Sequence, residues 1–199
     1  KSDREAKEGV IAQAILPGAK VGVLVEVNCE TDFVAKNDSF KAFTDDIAKK
    51  IALNPAVDLE ADRVEAFQKL KENLVIRRHA RVEVTGPGAV AAYIHTGGKV
   101  GVLVEVGAKK DETAATEAFK QLVRDITLQI AAAHPISVDR TSVPAATVER
   151  ERAIYVDQVP PGKPANIVEN IVKGKLDKFF STVCLVDQAF IKNPDQTIS

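Results

Sequence analysis

An α+β fold is the architecture this sequence predicts: duplicated β-hairpin/helix half-cores with antiparallel sheets packed by helices, plus an inserted antiparallel, coiled-coil-like helical hairpin. Three observations predict it. Residues 20–27 read KVGVLVEV and residues 99–106 read KVGVLVEV again, an offset of 79. The same offset pairs Phe40, Asp46, Ile47 and Ile51 with Phe119, Asp125, Ile126 and Ile130, and it pairs Ile15 and Gly18 with Ile94 and Gly97. Beyond the second copy, two helical stretches flank the breaker-rich run Gln158-Val159-Pro160-Pro161-Gly162-Lys163-Pro164. Two copies at so long a spacing mark a duplicated half-domain and not a solenoid array.

Each element has a local reason. Residues 10–16 and 21–27 are aliphatic runs around Pro17-Gly18-Ala19, and residues 89–95 and 100–106 repeat them around Thr96-Gly97-Gly98. Glycine at the turn between such runs signals a hairpin. Phe40, Phe43, Ile47 and Ile51, and then Phe119, Leu122, Ile126 and Ile130, recur at i, i+3, i+7 and i+11, which puts four apolar groups on one helical face over a sheet. A second helix is expected over 61–73, followed by a strand at 74–84. In that strand Leu74, Ile76, Ala80, Val82 and Val84 share one side, Arg77, His79, Arg81 and Glu83 take the other, and Arg78 interrupts the apolar side. Helices at 145–157 and 165–180 make the hairpin, with Ile167, Val168, Ile171, Val172, Leu176 and Phe179 as its apolar face.

The domain organisation expected is a remnant or linker at 1–8, a first half-core at 9–86, a second at 87–136, the inserted hairpin at 137–182, and a return to the second half-core at 183–199. The chain has no Met and opens on the charged stretch KSDREAKEG, which reads as a fragment whose N-terminal region is missing. The duplication likewise implies a closing strand beyond Ser199.

Composition narrows the function. Lys+Arg 27 against Asp+Glu 28 gives a net charge of −1, so no nucleic-acid partner is expected from overall charge. With 45% hydrophobic and 28% charged residues in 199, the chain can bury roughly 70% of the surface of its unfolded form without disulfides or metal. Cys29 and Cys184 lie far apart, and His79, His95 and His134 are scattered, so neither a disulfide framework nor a metal site is predicted. No apolar run is long enough to span a bilayer, so no membrane partner is expected. No Walker loop, GxGxxG or GxSxG occurs, so no nucleotide binding by the chain itself, no cofactor and no catalytic residue is predicted.

The candidate site lies where the copies differ. After the identical strand, copy one reads Asn28-Cys29-Glu30-Thr31-Asp32-Phe33-Val34-Ala35-Lys36, while copy two reads Gly107-Ala108-Lys109-Lys110-Asp111-Glu112-Thr113-Ala114-Ala115. Phe33 stands opposite Glu112, and a charge in a core position is expensive. That comparison points to an exposed Phe33 beside Asp32, a wedge for a partner's surface. Pattern alone gives a second reading, in which Asp32 caps the following helix and Phe33 staples it. Both stand at this stage.

The segment VGVLVEVNCETDFVAKND resembles the signature of translation elongation factor Ts. The resemblance continues through ENLVIRRHARVEV, AAYIHTGGKVGVLVEV, GKPANIVENIVKGKLDKFFSTVCL and QAFIKNPDQT, from Glu8 onward. It implies a guanine-nucleotide exchange factor for elongation factor Tu, binding that GTPase in its GDP-bound and nucleotide-free forms. By the same resemblance Thr31, Asp32, Phe33 and Val34 would approach the GTPase's Mg²⁺ and phosphate site, and His95, Thr96 and Gly97 would make a second contact. A histidine at a strand end also has a purely structural reading, and that stays open. By the same resemblance the family's N-terminal helical module is expected to be missing apart from a remnant at residues 1–8, with reduced affinity as the expected consequence. The implied location is bacterial cytoplasm, or an organellar stroma or matrix. One factor per GTPase is favoured by the two half-cores, and the helical hairpin is available for pairing with a second copy.

Two rivals come from other classes. An enzyme would use Cys29 as nucleophile and His79 as base, but Glu30 and Asp32 beside the thiol disfavour its thiolate. An RNA-binding or ribosome-associated scaffold would use Arg77, Arg78, His79 and Arg81, yet aromatic residues are only 5%, too few for stacking platforms.

Overall fold

The computed structural model describes residues 4–199, so of the charged opening 1–8 the first three residues lie outside the described residues. Helices and antiparallel sheets alternate along the chain, which is therefore α+β. It falls into two compact units, one ending at Ala131 and the other running Ala132–Ser199.

In the first unit, β1 (Glu8–Ile15) and β2 (Val21–Cys29) form an antiparallel hairpin, and β3 (Val75–Glu83) pairs with the other edge of β2. Between β2 and β3 come α1 (Asp32–Ala35), α2 (Asp38–Leu53) and α3 (Glu60–Leu70). Val23, Val25 and Val27 share one dry core with Phe40, Ile47 and Ile51 of α2. The alternate residues of β2 face a second sheet, formed by β4 (Gly88–Ile94) and β5 (Gly101–Gly107). Covered on both sides, β2 is apolar at nearly every position, which explains the unbroken VGVLV run. Gly22 and Gly101 let the sheets approach: a Cβ on Gly22 would lie 2.5 Å from Val90 Cγ1, and one on Gly101 would lie 2.8 Å from Ile11 Cγ2.

α4 (Asp111–Ala114) and α5 (Glu117–Ala133) begin 79 residues after α1 and α2. Hydrogen bonds repeat at the same offset. Ile11 N donates to Gly98 O at 2.8 Å and Val90 N to Ala19 O at 2.7 Å. Lys20 Nζ donates to Gly88 O at 3.1 Å, and Lys99 Nζ donates to Gly9 O at 3.0 Å.

Two expected faces are corrected. Along β3 the strict alternation fails because the pairing shifts between Glu26 and Val27, whose partners are Arg78 and Ile76. Arg77 is the extra residue of a bulge, and one extra residue flips every later side chain. Ile76 therefore lies on the α2 side with Val27, whereas Ala80 and Val82 lie on the opposite side with Leu24 and Gly22. Arg81 turns toward α2 and donates to Ala52 O at 3.3 and 3.1 Å. On α5, Leu122 is 47% exposed, and burial follows Phe119, Val123 and Thr127 instead. Steps of four carry that stripe around the helix relative to the expected i+3 step, and Thr127 is tolerated there because its hydroxyl donates to Val123 O at 2.7 Å.

The second unit contains α6 (Ala145–Asp157), α7 (Ala165–Val183) and a short hairpin of β6 (Ala189–Phe190) and β7 (Asn193–Thr197). Lys175 of α7 donates to Gln158 at 2.8 Å, and its ammonium lies 5.6 Å from the centroid of the Tyr155 ring. Of the apolar face expected on α7, Val172 is buried while Ile167 is 39% exposed. Arg140 holds this unit at one point: it pairs with Asp177 at 2.8 Å and Asp187 at 3.2 Å, and stacks 5.0 Å over Phe180.

Candidate functional site

The residues that differ between the copies form a single turn of helix on a fixed base. β2 ends at Cys29, and Thr31 is the N-cap of α1, its Oγ1 accepting from Val34 N at 3.3 Å. The helix has only four residues, too few to persist on propensity. It is anchored by its inner face, where Ala35 is buried and Val34 packs against the core. Its outer face presents Asp32 and Phe33, and Phe33 is 81% exposed. The cap is thus Thr31, and Asp32 is the first helical residue. Phe33 staples nothing, so of the two sequence readings the exposed one describes its position.

Asp32 pairs with Lys36 one turn on, at 2.8 Å. The hydrogen bond and charge of Lys36 hold the Asp32 carboxyl below the usual aspartate range, and Asp32 in turn raises Lys36. A lowered carboxyl favours the folded turn above the ordinary aspartate value, and the benefit fades as pH falls through the lowered one. Carboxyl-detected NMR titration should therefore place the Asp32 midpoint below that of an ordinary aspartate, and Lys36→Ala should move it upward.

Behind the turn lies a network that sequence reading missed. α3 is capped at its C-terminus by Lys71, whose φ of 61° turns the chain back toward β2. The Glu72 carboxylate then accepts from Glu30 N at 3.0 Å, Thr31 N at 3.1 Å and Thr31 Oγ1 at 2.5 Å. Glu30 reciprocates, accepting from Asn73 N at 2.6 Å and pairing with Arg4 at 3.1 Å. No periodicity signals a carboxylate reaching back 41 residues.

His95 and Thr96 are exposed on the β4–β5 turn. Gly98 N donates to His95 O at 3.0 Å, and Gly97 at φ 92° takes the left-handed position. The Tyr93 hydroxyl lies 3.1 Å from His95 Nδ1. Asp32, Lys36, Gly97, Gly98 and Lys99 line one cleft of about 360 Å³, so the two expected contact elements meet along a shared wall. Of the expected contact residues Asp32 and Gly97 line it, whereas Thr31, Phe33, Val34, His95 and Thr96 do not.

The residues of the rival readings are placed differently. Cys29 is buried, its thiol donating to Thr31 O at 3.2 Å. His79 pairs opposite Val25, four positions along β2 and thus about 13 Å away, so the structure does not bring the two together. Burial pushes the Cys29 thiol up to about 11, and the charges of Glu72 and Glu8 add to it. Iodoacetamide at pH 8 should label Cys29 of the native chain roughly a hundredfold more slowly than in denaturant, as peptide mass mapping would report. Arg77 and Arg78 both pair with Glu26, at 3.1 and 2.6 Å. Burial alone would raise the Glu26 carboxyl, but Arg78 and Arg77 outweigh it and hold it below its ordinary value. These two arginines are thus engaged in an ion-paired sheet surface.

The family model for Elongation factor TS matches residues 30–199. Elongation factor Ts of Trichlorobacter lovleyi is 38% identical over 215 aligned residues, covering 100% of this chain and 69% of that protein. This chain belongs to the elongation factor Ts family. Elongation factor Ts of Clostridium novyi, at 39%, and that of Nitratiruptor sp., at 37%, also align with 100% of the chain and 69% of their own length. Membership makes the chain a translation elongation factor, a component of protein biosynthesis. Among the described residues no helix is long and apolar enough to cross a membrane.

Proposed function

We propose that this member of the elongation factor Ts family is a guanine-nucleotide exchange factor that binds elongation factor Tu and promotes GDP release by disturbing its Mg²⁺ and phosphate site. The observation that carries the reading is Phe33, a large apolar side chain 81% exposed on a turn whose cap and anchors are all satisfied. A ring held out in water has a strong incentive to enter an apolar seam of a partner.

Magnesium requires near-ideal octahedral oxygen coordination and bridges the nucleotide phosphates to a GTPase, so moving the elements that support it loosens GDP. Phe33 acts as the wedge. Packed elements shift between discrete arrangements and do not deform gradually, so one ring displaces a whole element. Asp32 assists from the adjacent position, and Thr31 and Val34 hold the pair. His95, Thr96 and Gly97 make the second contact, along the cleft wall that Gly97 shares with Asp32.

No covalent bond is made or broken, and no cofactor of the chain's own takes part. The factor binds nucleotide-free elongation factor Tu more tightly than the GDP form, and linkage requires GDP to weaken the factor's binding by the same ratio. The repeats at 9–86 and 87–136 are read as duplicated half-cores, with 137–182 as an inserted coiled-coil-like hairpin open to self-association and 183–199 returning to the second half-core. Bacterial cytoplasm, or the stroma or matrix of an organelle, is where such a reaction belongs.

The test is to preload elongation factor Tu with fluorescent GDP and follow its release with and without this chain. Release should accelerate, and Asp32→Ala should blunt the effect. An unchanged release rate at saturating chain would refute the proposal.

A further inference from the structure

The geometry points to Glu72 as a positioning residue for the exchange reaction, one that fixes the direction in which Phe33 is presented. This inference rests on the function proposed above and adds to it a residue outside the Thr31–Val34 string. The Glu72 carboxylate takes both backbone N–H groups at the end of β2, Glu30 N and Thr31 N, on one oxygen, and the Thr31 hydroxyl on the other. With its proton given to Glu72, the Thr31 oxygen is left to accept from Val34 N, the first turn of the helix that bears Phe33. One carboxylate thus sets the entry direction and the cap of α1 together. Its bonds are charge-assisted, which makes them shorter and stiffer than neutral ones. Glu30 closes the clamp in the opposite sense through Asn73 N and Arg4.

The second copy provides an internal control. α4 has the same four-residue length as α1, yet its N-cap position is Lys110, which makes no side-chain cap hydrogen bond. Lys109 stands at the position equivalent to Glu30. The same short helix therefore forms on the same kind of hairpin without clamp or cap, so folding alone does not demand Glu72. What the first copy has and the second lacks is an aromatic ring to aim, since Glu112 occupies the equivalent of Phe33. A wedge that must enter one seam gains from being held in its bound orientation beforehand, because the cost of ordering is then not paid on binding.

The experiment compares the parent chain, Glu72→Ala and Glu72→Gln in the fluorescent GDP release assay across a range of factor concentrations, with the melting temperature and the amide hydrogen exchange of Glu30 and Thr31 followed in parallel. Glutamine can keep the geometry, its oxygen facing the two N–H groups and its amide donating to Thr31 Oγ1. The expected result is that Glu72→Ala lowers the maximal acceleration roughly tenfold or more, as a misplaced reacting group does. It should also raise the concentration giving half the effect and speed exchange at the Glu30 and Thr31 amides, with the rest of the first unit still protected. Glu72→Gln should stay within about threefold of the parent. A merely structural role would lower only the folded fraction, leaving the acceleration per folded molecule unchanged, and that outcome overturns the proposal. Full activity in Glu72→Ala overturns it too, as does a Glu72→Gln that keeps its amides protected but loses acceleration, because the carboxylate would then act by charge. A parent chain that accelerates nothing refutes the exchange function itself and takes this inference with it, a result distinct from all the others.

Discussion

Phe33→Ala is expected to reduce the acceleration of GDP release by about 10- to 150-fold while leaving the fold untouched. Burying a phenylalanine side chain is worth about 1.5–3 kcal/mol, and each 1.4 kcal/mol is about a factor of ten in rate. In the free chain this ring is 81% exposed, so its removal forfeits almost no internal packing. The melting temperature should stay within about 2 °C of the parent, as for surface substitutions away from caps and networks. Large loss of activity with no loss of stability is the signature of a residue whose contacts lie on another molecule. A melting temperature lowered in step with activity would mean that Phe33 supports the fold.

The opposite profile is expected at Phe40. Its ring is completely buried, in one core with Ile47, Ile51 and four valines of β2. Phe40→Ala should cost about 3–5 kcal/mol, the transfer of the ring plus the cavity it leaves. A thermal melt should register this as a fall on the order of 10 °C. Leu122→Ala offers the contrast, since periodicity alone places Leu122 with the core while the structure leaves it 47% exposed. It should change stability by about 0.5 kcal/mol or less. Equal losses at Phe40 and Leu122 would contradict the burial described for the first unit.

The contrast between these positions shows which parts of the molecule are legible from sequence. β2 and its repeat could be read because a strand covered on both faces has little freedom of composition. The exposure of Phe33 could be inferred because the internal sequence repeat supplies a reference: Glu112 at the equivalent place marks a position that tolerates charge. The phase of β3 was not legible, since the bulge at Arg77 depends on pairing with β2 and leaves no local mark. The buried stripe of α5 drifted from its expected positions for a related reason: Thr127 is admitted only because its hydroxyl finds a carbonyl within its own helix. The Glu72 clamp was hidden because it is a contact between segments far apart in sequence whose residues, read singly, resemble any solvated acid. The two helices of the second unit lay in between. α6 begins and ends at residues 145 and 157, as the flanking prolines and polar turn suggest, whereas α7 runs to Val183, beyond the expected 180.

Exchange by the proposed route requires a wedge that prefers the nucleotide-free partner. The most direct measurement is the affinity of this chain for elongation factor Tu with and without GDP, set beside the affinity of elongation factor Tu for GDP with and without the chain. The two ratios should be equal and well above one for the parent, and both should fall together in Phe33→Ala. A parent chain that binds the two forms with the same affinity would contradict the account, however tight the binding.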